Sequence, residues 1–320
     1  MLNVFFTIDV EIWCNGWQNI DEKFARAFDR SIHGNTPQGC YGLPYQLKVM
    51  NDHGLTSVCF VEPLFSARFG LDPLFEIVGL VNEAKHETQL HLHTEWVDES
   101  LTPLLDQVTG KRQHLRYFSK AEQISLISSG RNMLARCGAP DVNAFRAGSF
   151  GFNRDTLDAL AANSFLFDSS YNATIFGTDS GVKPGEVAWS PFECAGVYEY
   201  PMTVFNDGTG KLRHVQLTAC SFSEIEGLLW QALKSGYTSF VILSHSFELL
   251  NNGRDRPDAV VIDRFRKLCA FLDKNRNSFQ VRGFRDLGAQ VPETPPRLLS
   301  SPIWKTGKRL LEQAYRRRYR

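Results

Sequence analysis

The sequence predicts an α/β protein whose short parallel strands alternate with helices around a barrel. Three observations predict it. Short apolar or β-branched runs alternate with longer segments of helical periodicity, the pattern of parallel strands joined by crossover helices. The alternation makes seven or eight units in about 290 residues, which suits a barrel better than an open sheet. Polar residues able to do chemistry stand at the C-terminal ends of the apolar strands, the rim on which parallel folds bind ligands.

Taken in order, a strand over 3–9 is followed by a helix over 43–52, a strand over 56–61 and a helix over 73–85. A strand over 87–91 leads to a helix over 119–137, and a strand over 143–146 to a helix over 154–162. Strands over 164–168 and 197–201 precede a helix over 222–235, a strand over 239–245, a helix over 258–274 and a last strand over 278–282. Loops are expected over 14–40, 98–118, 172–196 and 205–221. Trp13, Trp17, Trp96 and Trp189 could stack on sugar rings, a role packing competes with. The expected organisation is one barrel over 1–290 and, over 291–320, a Pro-rich linker with a basic amphipathic tail.

Composition narrows the function. The chain has 320 residues, 43% of them hydrophobic and 22% charged, and 35 basic residues balance 35 acidic ones. No net field selects nucleic acid, so electrostatic specificity has to be local. Seven cysteines are scattered with no Cys-x-x-Cys pair, which indicates neither a disulfide framework nor a thiolate zinc site and favours a reducing compartment. The N-terminal Met-Leu-Asn-Val-Phe-Phe-Thr-Ile-Asp lacks a basic start, and no run approaches the roughly 18 apolar residues that span a bilayer. A cytoplasmic protein is expected. Residues 303–320 hold seven Lys or Arg against one Glu, with Ile303, Trp304, Leu310, Leu311, Tyr315 and Tyr319 interleaved. Peripheral membrane contact through a basic amphipathic helix is one reading of this tail, and a solvated terminus apart from the barrel is the other.

Asp9, His91, Arg146, Asp168 and His245 each end a predicted strand. Asp9 and Glu11 are two residues apart, so an extended chain points both carboxylates one way, as a general base and a metal ligand require. His91, His93 and Glu95 offer nitrogen and oxygen ligands at spacings of two and four. Two of them, either both imidazoles or an imidazole and the carboxylate, make with Glu11 a three-ligand site with a position left for water. A satisfied histidine cluster is the alternative. Arg146 needs an acid opposite, with Asp9 the candidate, and Asp168 with His245 reads as a carboxylate-imidazole pair suited to a general acid.

Thr-Ile-Asp-Val-Glu, His-Leu-His-Thr-Glu-Trp, Phe-Arg-Ala-Gly-Ser-Phe-Gly, Phe-Asp-Ser-Ser-Tyr and Leu-Ser-His, in this order, resemble the five motifs of the polysaccharide deacetylase family, the carbohydrate esterases with a chitooligosaccharide deacetylase homology domain. The resemblance runs from about residue 3 to residue 285. It implies a distorted (β/α)7 barrel and a divalent metal, usually zinc, held by a carboxylate and two residues of the second motif. It further implies Asp9 as catalytic base, Glu11 as metal ligand, Arg146 as the residue orienting Asp9, and Asp168 as partner of the general acid His245. His91 matches the first histidine of the family's second motif, and Glu95 stands where the second would be. Alignment therefore favours Glu11, His91 and Glu95 as ligands, with His93 the alternative. Trp96, Ser149, Phe150 and Tyr171 are the motif residues expected to contact substrate. The implied reaction is hydrolysis of an N-acetyl group on an amino sugar of a polysaccharide or glycan precursor. A non-sugar amide hydrolase and a non-catalytic carbohydrate-binding relative are the competing readings.

Overall fold

The computed structural model describes residues 1–108 and 110–318. Thr109 of the expected 98–118 loop, Tyr319 and Arg320 of the tail, and the side chains of Arg317 and Arg318 lie outside the described residues. The main sheet consists of β1 (Leu2–Val10), β2 (Val58–Val61), β3 (Glu87–Leu92), β4 (Ala144–Ala147), β5 (Phe167–Asp168), β6 (Phe192–Cys194), β7 (Val197–Glu199), β8 (Ser239–His245) and β9 (Phe279–Val281). In one of the chain's two units β8 and β9 are hydrogen-bonded to β1, and in the other the order is β2-β3-β4-β5-β7-β6. β1 runs parallel to β8 and β9, β3 to β2 and β4, and β5 to β4 and β7, while β6 is antiparallel to β7. The helices are α1 (Ile20–Phe28), α2 (Leu43–Asp52), α3 (Asp72–Glu83), α4 (Lys120–Arg136), α5 (Arg154–Ala162), α6 (Phe222–Lys234), α7 (Ala259–Lys274) and α8 (Ile303–Arg318). A curled, mostly parallel sheet flanked by helices is the α/β architecture expected, that of a distorted barrel.

Helix boundaries follow local chemistry. The predicted spans 43–52 and 154–162 coincide with α2 and α5. Asn153 caps α5 with Thr156 in a reciprocal box, and Ser119 with Glu122 and Ser221 with Glu224 do the same for α4 and α6. β5 starts at Phe167 rather than 164 because Ser164 has φ 60°, a left-handed conformation that no strand residue adopts. α1 lies in what the sequence reading left as a loop. Its buried Ile20, Phe24 and Ala27 repeat at helical spacing, but Asn19 before it is left-handed and makes no side-chain cap.

Contacts divide the chain into two compact units, each discontinuous in sequence. The first comprises 1–57, 205–282 and 297–320, and holds β1, β8, β9 and helices α1, α2, α6, α7 and α8. Every residue of β1 is buried, so this strand reads as a continuous apolar run rather than an alternation. Phe6 of β1 packs on Phe265 of α7 at 5.6 Å, and Trp230 of α6 meets Phe279 of β9 at 4.8 Å. The second unit comprises 58–204 and 283–296, with β2 to β7 and α3, α4 and α5. Phe60, Phe167 and Tyr200 pack around Phe284, and the Glu87 carboxylate accepts from the Phe284 and Arg285 amides at 2.7 and 3.1 Å. The expected linker is packed here: Trp189 donates its indole N–H to the Pro296 carbonyl at 2.8 Å, which makes this tryptophan an anchor.

The tail departs from expectation. It is helical, as α8, but within the first unit it is docked, not apart. Arg309 is 1% exposed and pairs with Glu224 of α6 at 2.7 Å and with Asp207 at 3.3 Å. Arg264 of α7 holds Glu312 at 2.6 Å, and Arg316 holds Asp258 at 2.7 Å. Of the basic residues that suggested a lipid-facing surface, Lys305, which donates to the Ser223 carbonyl at 2.7 Å, Arg309 and Arg316 are thus spent on fixing the helix. Removing one partner of a buried pair leaves the other charge uncompensated, so Arg309→Ala should cost about 3–5 kcal/mol, read from urea unfolding. A loss under about 1 kcal/mol would show that these pairs do not hold α8.

Candidate active site

In the first unit the parallel register of β1 and β8 sets Asp9 beside His245, and the Ser246 amide donates to the Asp9 carbonyl at 3.0 Å. Gln46 of α2, fully buried, donates to the carbonyls of His245 and Ser246 at 3.1 and 2.8 Å and so fixes the strand end. Asp9 and Glu11 are 4% and 7% exposed. The Nε2 of His245 lies 3.9 Å from the Glu11 carboxylate. Its Nδ1 contacts Glu248 Oε1 at 2.8 Å, and Gln216 also donates to that oxygen. The orienting acid of His245 is therefore Glu248, three residues on, and not Asp168 as expected. Burial disfavours the imidazolium, but Glu248, Glu11 and Asp9 outweigh it and raise the His245 pKa to about 9. The ring is thereby held as a proton donor.

In the second unit, His91 on β3 contacts the Arg146 carbonyl through Nδ1 at 2.8 Å. A carbonyl only accepts, so Nδ1 carries the proton and Nε2 keeps a lone pair for a ligand. His93 Nδ1 lies 3.3 Å from Glu95 Oε2, both side chains being buried. Gly148 makes room for this histidine: a Cβ there would stand 2.7 Å from His93 Nδ1 and 2.6 Å from the Leu92 carbonyl oxygen. Ser149 and Phe150 follow with φ 52° and 56°, a strained turn after β4 of the kind found at functional sites. Glu62, directly after β2, is fully buried and accepts from the amides of Leu64 and Phe65 at 2.7 and 3.4 Å. Burial raises its pKa to about 8 against the pull of the Leu64 amide, His93 and the Phe65 amide, with Glu95 adding to the rise.

Arg146 is fully buried with its guanidinium 4.2 Å over the Phe60 ring, and it donates to the Ser169 carbonyl and hydroxyl, both at 3.1 Å. Asp168 accepts from Ser170 Oγ at 2.5 Å and is the register partner of Glu199. Two buried carboxylates cannot both ionise at low cost; burial and the Asp168 charge raise the Glu199 pKa, so Glu199 is the protonated partner. Glu62, Glu199 and Glu248 were missed in the sequence. The first two stand at the ends of strands, a signal already used for Asp9, and Glu248 follows His245 at the spacing of one turn.

Two substrate candidates are core residues. Trp96 is 1% exposed and packs edge-on against Phe65 and Phe69, while Tyr171 is fully buried between Phe152 and Phe192. Phe150 is 9% exposed, and Ser149 is exposed. Trp13 and Trp17 remain half-exposed, ring centroids 6.1 Å apart, close in sequence to Glu11.

In the second unit the buried His91 and His93, ring centroids 4.8 Å apart, are a pair of potential metal ligands, and in the first unit the buried Glu11 carboxylate is another. This pair contains the alternative ligand His93, and the Glu95 carboxylate lies against Nδ1 of that same histidine. One carboxylate and two imidazoles, one of them with its second nitrogen fixed by a carbonyl, suit a divalent cation such as zinc.

No family model matches the chain, and no curated protein does. Solved structures share its fold. A protein named as a polysaccharide deacetylase from Mycobacterium smegmatis superposes with TM-score 0.54 at 18% identity, over 88% of this chain and 87% of that one. A family 4 carbohydrate esterase from Streptomyces lividans, in complex with acetate, gives 0.44 at 13% identity over 93% and 98%. A pseudoenzyme of the same family from Bacillus anthracis gives 0.42 at 11% identity over 86% and 62%. The fold is that of the polysaccharide deacetylases.

The Glu62 shift carries a pH dependence. With its pKa raised from 4.5 to about 8 on folding, the contribution is fully present below pH 4.5 and is lost as pH rises through 8. Glu62→Gln stays neutral throughout. Urea midpoints should move in favour of the variant between about pH 5 and pH 8, and a constant difference across that range would refute the buried, protonated state.

Proposed function

We propose that the protein is a divalent-metal-dependent hydrolase that removes the N-acetyl group from an amino sugar of a polysaccharide or glycan precursor and releases acetate. The observation that carries this reading is the set of strand-end residues of each unit, Asp9 and a charged His245 beside Glu11 in the first and the adjoining His91 and His93 in the second. Glu11, His91 and His93 would hold the cation, with Glu95 setting His93. A cation bound there supplies Lewis-acid polarisation of an acetyl carbonyl and of water.

The residues divide the proton work. Asp9 takes the proton of the attacking water, and Arg146 is assigned the part of orienting it, as the resemblance implies. His245, charged through Glu248, hands its proton to the departing amine, which is a poor leaving group without it. Asp168 stays with Glu199 and supports the strand end that carries Ser169 and Ser170. Trp13 and Trp17 offer aromatic faces for a sugar, and Ser149 and Phe150 border the site from β4.

Seven free cysteines suit a reducing compartment, and with it an intracellular glycan precursor as substrate. Among the described residues no helix is long and apolar enough to cross a membrane. Trp304 and Leu311 on α8 are 63% and 74% exposed, with Lys308 between them, and this outward face is assigned to a lipid surface.

Two outcomes test the reading. Purified protein should release acetate from N-acetylated amino sugars, lose that activity to a chelator and regain it with zinc. Asp9→Asn should lower kcat by about 100-fold or more, and His245→Gln should lower kcat while leaving KM nearly unchanged. Chelator-resistant activity, or wild-type turnover in Asp9→Asn, would overturn the assignment. Separately, the full chain should float with phosphatidylglycerol vesicles, and Leu311→Asp should stay behind; a wild-type chain that does not float removes the lipid role of α8.

A further inference from the structure

Beside His245 the first unit opens a cleft of about 550 Å³ whose lining includes Phe247, Asn251, Asn252, Arg254 and Arg316. Arg254 is held there by several independent contacts. Its backbone is left-handed, φ 52°, and its amide donates to the Asn251 carbonyl at 2.9 Å. Nη1 donates to Ser31 Oγ at 2.7 Å. The guanidinium lies 3.5 Å over the Phe247 ring, and that ring stacks on His245 at 5.4 Å with 27° between planes. Guanidinium, phenyl and imidazole thus form one stack, which fixes a cation one ring away from the proton donor.

Three other arginines of this unit have acids: Arg264 has Glu312, Arg309 has Asp207 and Glu224, and Arg316 has Asp258. Among the described residues no carboxylate lies within ion-pair distance of Arg254. Glu11, whose charge favours the guanidinium from further off, is the carboxylate that the proposed reaction commits to the cation. A half-buried guanidinium without a counter-ion, its planar fork turned to an open cleft, matches an oxyanion brought by the ligand.

We infer that Arg254 reads a phosphate group carried by the amino-sugar substrate, so that the enzyme acts on a phosphorylated or diphosphate-linked sugar rather than on a neutral glycan. This rests on the deacetylase reading for the identity of the sugar, but not for the oxyanion site itself. Phe247 sets the spacing: the phosphate sits on Arg254, and the sugar reaches past Phe247 toward His245. Arg316, already paired with Asp258, lends the same cleft a second positive edge.

Calorimetry on the full chain tests it with N-acetylglucosamine, N-acetylglucosamine 1-phosphate and UDP-N-acetylglucosamine, which separate a neutral sugar, a phosphate monoester and a diphosphate diester. At least one phosphorylated sugar should bind about tenfold or more tightly than the neutral one. Arg254→Gln should bring that ratio close to one, and Arg254→Lys, which keeps the charge but not the fork, should retain part of it. Equal binding of all three by the wild type, or an undiminished ratio in Arg254→Gln, overturns the inference. Acetate release measured alongside separates the two readings. Turnover without phosphate preference leaves the deacetylase and removes the subsite, whereas phosphate preference without turnover does the reverse.

Discussion

An ionised side chain taken out of water costs several kcal/mol unless an opposite charge or a set of hydrogen bonds offsets it. The sheet is built of apolar strands buried along their length, so each polar residue at a strand end has to meet that requirement within its own neighbourhood. Asp9 and His245 meet it side by side at the ends of β1 and β8, with Glu248 behind the imidazole. Arg146 meets it with Ser169 and the face of Phe60, and Asp168 with Ser170 and a protonated Glu199. The arrangement that satisfies these groups is also what tunes them: the acids that make a buried His245 tolerable are those that keep it charged.

The same requirement shapes the periphery. α8 is attached less by its apolar side chains, many of which face outward, than by Arg309 between two buried carboxylates. Arg254 has no acid beside it, and this cationic group gives the cleft next to His245 its chemical character.

Much of this was legible in the sequence because it is local. β1, α2 and α5 declare themselves through continuous apolarity, helical spacing and the Asn153 cap. Asp9, Glu11, His91, Arg146 and His245 stood out as charge at the end of apolarity. What was not legible depends on distance along the chain. Arg309 and Asp207 are 102 residues apart, and nothing in a basic tail reveals that its arginines face inward. The partner of His245 was misplaced for a different reason: an acid ending another strand looked the better candidate, while the one that turned out to hold the ring was three residues away. Trp96 was read as a possible sugar platform, yet Phe65 and Phe69 enclose it. Exposure of an aromatic is settled by packing, which single-chain patterning does not encode.

The account stands on Glu11, His91 and His93 acting as one ligand set. X-ray absorption at the zinc edge, on the full chain loaded with one equivalent of metal, addresses that set directly. The account predicts a nitrogen and oxygen shell at about 2.0–2.1 Å with scattering from two imidazoles, falling to one imidazole in His93→Ala. A sulfur shell at about 2.3 Å, or an imidazole count untouched by that substitution, would contradict it.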